Sequence, residues 1–111
     1  MNKYKSISDF FDELDLTDSI IENISFDKNL TDLKIEVTHF FDEDKLISIK
    51  FNNCYKFDYE LSKDIYILND NQLNFSHFTI TKILIDEGIN IFTINDDEPL
   101  IKIMCQTVEL E

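Results

Sequence analysis

The sequence predicts a single mostly-β domain: an antiparallel sandwich or partly open barrel of about six to seven strands with one short N-terminal amphipathic helix. Three observations carry this reading. Short runs alternate apolar and polar residues, the pattern of strands with one buried face. Turn-forming Asn and Asp residues punctuate those runs at close spacing. Helical segments do not recur between the strands, as a doubly wound fold would require. The 111 residues suffice for one domain and are too few for two.

The helix comes first. Ser6-Ile7-Ser8-Asp9 fits a cap in which Ser6 accepts backbone N–H groups and Asp9 occupies the third helical position, where the helix dipole favours it. Ile7, Phe10, Phe11 and Leu14 fall at i, i+3, i+4 and i+7, with Asp9, Asp12 and Glu13 turned away. The spacing predicts a helix over 7–15 lying against a sheet.

After Leu16-Thr17-Asp18 the period becomes alternating. Ile20, Glu22, Ile24 and Phe26 share one parity, although Ile20, Ile21 and Ile24 also fit a helical stripe. Leu33 to Phe41 and Leu46 to Phe51 read as a hairpin closed by the turn Asp42-Glu43-Asp44-Lys45. Asn52-Asn53 interrupts the chain, since Asn tolerates left-handed backbone. Tyr55, Phe57, Tyr59 and Leu61 then alternate with polar neighbours, and Ile65 to Leu68 is a short apolar run closed by Asn69-Asp70-Asn71. The last third reads as a meander: Phe75 to Ile85, a turn at Asp86-Glu87-Gly88, Ile89 to Ile94, a turn at Asn95 to Pro99, and Leu100 to Leu110. Gly88 is the only glycine, placed where a positive φ is expected.

Charge bounds the function. Twenty-three carboxylates stand against ten lysines, there is no arginine, and the net charge is −13. Such a chain repels polyanions and has no guanidinium forks for phosphate, which argues against direct nucleic-acid binding and against an anionic membrane surface. It attracts a basic partner, though an acidic surface also serves solubility alone. No apolar run reaches the roughly 18–20 residues that span a bilayer. The opening Met1 to Ser6 has lysines but no apolar segment behind them, so a cytoplasmic protein is expected.

Catalytic patterns are missing. Pairs such as Asp96-Asp97 are expected by chance at this acid content. His39 and His77 lie far apart without metal-ligand spacing, and each is read as a hydrogen-bonded structural histidine. The acidic turns lack the ligand ladder of a calcium loop, one glycine cannot build a phosphate-cradling loop, and no G-x-S-x-G elbow is present. Cys54 and Cys105 are read as small, partly buried thiols rather than a disulfide. No enzyme activity, cofactor or metal is therefore expected.

The positive feature is an acidic block. Asp9, Asp12, Glu13, Asp15, Asp18, Glu22 and Asp27 follow one another with no lysine among them. Asp42, Glu43 and Asp44 form a second cluster. The candidate partner-binding residues are Asp9, Asp12, Glu13, Asp15, Asp42, Glu43 and Asp44, a surface complementary to a basic protein. Phe40, Tyr55, Tyr59 and Tyr66 are candidate exposed aromatics.

Asp18-Ser19-Ile20-Ile21-Glu22-Asn23-Ile24, then Asp32 to Val37, then Ile47 to Cys54, form a recurring pattern over roughly the middle third of the chain. It resembles small bacterial proteins grouped with the immunity proteins of polymorphic toxins, in which a D-S-x-I strand leads into a hairpin. Those proteins often carry a histidine before the aspartate, where this chain has Thr17. The resemblance implies a cytoplasmic antidote that binds one toxin and blocks its active site, and it supplies no catalytic residues. Two other functions fit the same composition. One is a viral or mobile-element antagonist that mimics nucleic-acid charge against a nuclease or DNA-binding complex. The other is a β domain that binds a small ligand inside.

Overall fold

The computed structural model describes residues 6–27, 29–39, 42–60, 78–93 and 98–111. Their architecture is mostly β, as the alternation predicts. One short helix, α1 (Ile7–Glu13), precedes eight strands: β1 (Ser19–Phe26), β2 (Leu33–His39), β3 (Asp42–Asn52), β4 (Lys56–Tyr59), β5 (Ile80–Ile85), β6 (Ile89–Thr93), β7 (Ile101–Met104) and β8 (Thr107–Leu110). They form two four-stranded antiparallel sheets, ordered β1-β2-β3-β8 and β4-β7-β6-β5. The arrangement is a two-sheet sandwich rather than a closed barrel. A single isolated bridge, Ile20 to Thr79, ties β1 to the start of β5.

The count exceeds the expected six or seven because one long segment bends. Leu100 to Leu110 reads as one strand in sequence but breaks at Cys105-Gln106 into β7 and β8, one in each sheet. Opposite this break, Asn53 takes a left-handed φ of 53° and separates β3 from β4. Pairing runs through the corner all the same. The Gln106 N–H donates to the Asn52 carbonyl (3.0 Å) and the Tyr55 N–H to the Met104 carbonyl (2.9 Å). The Asn53 side-chain amide donates to Gln106 Oε1 (2.8 Å).

Two other boundaries differ from expectation. The helix stops at Glu13, because Leu14 adopts extended backbone (φ −98°, ψ 94°) and frees the chain to descend into β1. The turn expected at Asp42 to Lys45 is instead the first part of β3, with Asp42 already paired to His39. Residues 61–77 and 94–97, including the apolar run at Ile65 and the turn at Asn69, lie outside the described residues.

Inward parity builds the core. Leu33, Ile35 and Val37 of β2 face Ile49 and Phe51 of β3, and Ile80, Ile89, Ile91, Ile101 and Ile103 supply the opposing sheet. Each such burial is worth about 1.5–3 kcal/mol. Helix α1 adds Phe10, fully buried, whose ring meets Phe11 edge-on (4.9 Å), while Phe11 stacks on Phe51 (6.5 Å). The β5–β6 turn needs its glycine. Gly88 sits at φ +125°, and a Cβ there would lie 2.9 Å from the Ile103 carbonyl oxygen. The Asn90 amide holds the same turn by donating to the carbonyls of Asp86 (3.0 Å) and Leu84 (3.2 Å).

Candidate functional site

The predicted acidic residues begin on α1. Ser6 Oγ accepts the Asp9 N–H (3.1 Å), so the cap forms as the sequence implies and Asp9 stands half-buried in the first turn. Phe10 and Phe11 pin the opposite side of the helix to the core, which leaves Asp12 and Glu13 exposed. Beyond the helix, Asp15 Oδ1 accepts the Thr17 N–H (2.9 Å) while Leu16 plugs the core. Asp18, exposed at a left-handed φ of 70°, then turns the chain into β1, with its N–H on the Ile80 carbonyl (2.8 Å).

Register brings the second acidic segment to the same place. Ser19 at the start of β1 pairs with His39 at the end of β2, and His39 pairs with Asp42 at the start of β3. The exit from α1 and the backbone of Asp42, Glu43 and Asp44 therefore share one end of the first sheet. The side chains of His39 and of these three acidic residues lie outside the described residues. Exposed Lys45 is the one lysine of the adjoining β3 start.

The outward face of the first sheet is cross-linked by its own polar groups. Thr38 Oγ1 donates to Glu22 (2.7 Å), the Asn23 amide to Glu36 (3.1 Å), and Lys50 pairs with Asp32 (3.7 Å). Glu22 reaches Thr38 from a register shift in β1 between Ile21 and Asn23. Asp27 works within the β1–β2 turn, where Oδ1 accepts the N–H groups of Thr31 (3.0 Å) and Asp32 (3.2 Å). The Asp32 backbone hydrogen bond, with help from Thr31, holds the Asp27 carboxyl below its ordinary value of 3.8. These carboxylates are committed to the fold, whereas Asp12 and Glu13 project from it.

A second feature lies where β1 approaches β4. Phe26 meets Phe57 edge-on (5.5 Å), and Ile24, Tyr59 and Phe78 complete a cleft of about 550 Å³. Tyr59 is exposed here, as is Tyr55 at the corner; Phe40 and Tyr66 lie outside the described residues. Sequence parity could place Ile24 and Phe57 on inward faces. It carried no signal that these two strands, distant in sequence and in different sheets, would flank an opening.

The chain matches no known family model, no curated protein and no solved structure. Among the described residues no cluster of His, Cys, Asp and Glu has the arrangement of a metal site, and no helix is long and apolar enough to cross a membrane. The cysteines are free thiols, Cys54 half-buried and Cys105 buried.

Proposed function

We propose that this chain is a non-enzymatic protein-binding inhibitor, of the immunity type, that docks an acidic rim on a basic enzyme surface. One observation carries the reading. The register Ser19–His39–Asp42 brings the end of the first acidic segment, at Asp18, to the end of the sheet where Asp42 begins β3. Carboxylates gathered on a rim steer a basic partner into register and raise its association rate. The partner would be a toxin or nuclease with a cationic surface around its active site.

The test starts with affinity capture at low and moderate salt from the organism that carries the gene. The recovered basic protein is then titrated with the wild-type chain and with a D12K/E13K/D15K/D18K variant. Slower association for the variant, with inhibition of the partner's activity reduced in step, supports the proposal. An association rate indifferent to both salt and charge reversal sinks it.

The apolar cleft favours a second reading, a small-ligand-binding β domain. Its volume lies in the range of small-molecule sites, and its lining joins aromatic and aliphatic side chains with Glu22, Asn23 and Ser25. Saturable binding of an apolar fluorescent probe, abolished by Ile24→Glu and unaffected at the acidic rim, would move weight to that reading.

A further inference from the structure

We propose that Cys54 and Cys105 are a redox latch: a thiol pair placed to close into a cross-strand disulfide over the corner where the chain passes between the two sheets. The register brackets them. Asn52 pairs with Thr107 on one side of the corner and Lys56 with Met104 on the other. Cys54 therefore stands opposite Cys105 and Gln106, in the short interval where the ladder crosses from sheet to sheet. Both thiols belong to the same interior: Cys105 is part of the buried core and Cys54 packs against it. The charge that Cys54 would carry adds to burial in pushing the Cys105 thiol up, to about 12, an effect that requires the two sulfurs to be near each other. Cross-strand residues have Cβ atoms about 4.5–5.5 Å apart, so a small adjustment brings them to disulfide distance.

The reaction balances with a small disulfide such as oxidised glutathione as the oxidant. Half-buried Cys54 reaches solvent and attacks first. Its thiolate displaces one glutathione thiolate and forms a mixed disulfide. The Cys105 thiolate then attacks Cys54 Sγ and expels the second glutathione, so two protein thiols are oxidised and one glutathione disulfide is reduced. Burial raises both thiols above their ordinary 9.0, so the exchange is slow near neutrality and accelerates about tenfold per pH unit below those values.

The closed latch would stiffen more than the corner. The Cys54 N–H donates to the Thr31 carbonyl (2.6 Å) and the Asn53 N–H to Asp32 Oδ1 (3.1 Å), which anchor the β1–β2 turn. On its other side Cys105 borders a hollow shared with Ile7 of α1. Oxidation would thus tie together the turn and the corner, beside the start of α1.

The full chain is incubated with oxidised glutathione at about pH 7 and about pH 9, quenched with acid and weighed intact, with unreacted thiols counted by alkylation. The expected product is monomeric, about 2 Da lighter, with both thiols lost, formed faster at the higher pH. It should show a raised urea midpoint, restored to the starting value by reductant. Cys105→Ala should stop at a stable adduct about 305 Da heavier on Cys54. Three outcomes overturn the proposal: a wild-type protein that keeps that adduct, a Cys54–Cys54 linked dimer, or two thiols that stay free at the higher pH.

Discussion

Ser19 offers a perturbation whose sign is contrary to habit. It begins β1, is 0% exposed, and its hydroxyl oxygen is buried with no hydrogen-bond partner among the described residues. Its backbone N–H is satisfied, donating to the Leu16 carbonyl at 3.0 Å. Taking a hydroxyl out of water without replacing its hydrogen bonds costs about 1–3 kcal/mol in proteins. Ser19→Ala removes that cost and leaves only the small space of one oxygen, a loss of a few tenths of a kcal/mol. The net expectation is stabilisation by about 1–2 kcal/mol. Urea unfolding followed by far-UV circular dichroism measures it directly: the midpoint should rise at unchanged m-value, because the surface exposed on unfolding is the same. Loss of about 1 kcal/mol or more would refute the reasoning, since it would mean that the hydroxyl holds a partner worth that much.

Three further outcomes follow from the same geometry. Gly88→Ala should cost about 2–4 kcal/mol, because alanine is strained at φ +125° and its Cβ would crowd the Ile103 carbonyl; a urea midpoint within error of wild type would contradict it. Cys105 gives an alkaline signature: the unfolded chain releases its proton near 9.0 and the folded chain holds it to about 12, so stability falls across that window as pH rises. Cys105→Ala should flatten the fall, and parallel slopes of midpoint against pH for the two proteins would contradict it. Asp27 gives the opposite, acid-side signature, because its folded value lies below 3.8; its contribution is present above that value and is lost as pH falls through the folded one. Asp27→Ala should therefore lower the midpoint at neutral pH and lessen the dependence on acid, which an acid titration of both proteins will read.

Sequence legibility follows the range of the interactions involved. The cap at Ser6, the helical stripe of Phe10 and Phe11, the β2–β3 hairpin and the turn at Gly88 are local, and each is encoded within a few residues. What the pattern could not convey was that one apolar run ends in two sheets. Leu100 to Leu110 keeps its alternation through Ile101, Ile103 and Cys105, and only the pairing with the bent β3–β4 segment shows why Gln106 breaks it. Asp42 to Lys45 differs for a related reason: acidic residues resemble a turn, yet Asp42 already pairs with His39 as the start of a strand, and Glu43 to Lys45 fall in the register shift before Leu46 pairs with Thr38. The same limit applies to the candidate site. Asp12 and Glu13 could be placed outside from helical periodicity, but that Asp18 would meet the start of β3 at one end of the first sheet required the register of three strands.

Within the described helix and strands the charge is unevenly placed. Strands β5, β6 and β7 contain no Asp or Glu, and their lysines are Lys82 and Lys102, the first resting over the Phe92 ring at 4.6 Å. The acids of the described elements concentrate in α1, the descent into β1 and the first sheet. If the −13 served solubility alone, any distribution would do equally well, and segregation would be incidental. For docking, local placement has a consequence: acids gathered on one surface of the described elements would favour approaches in which that surface leads toward a cation. Orientation acts on the association rate and fades as the screening length shrinks from about 30 Å at 0.01 M salt to about 8 Å at 0.15 M. Moving charge within the molecule at constant net charge therefore separates the two explanations. Exchanging Asp12 and Glu13 for lysine while converting Lys82 and Lys102 to glutamate leaves the total at −13 and solubility intact, yet should slow association with a basic partner.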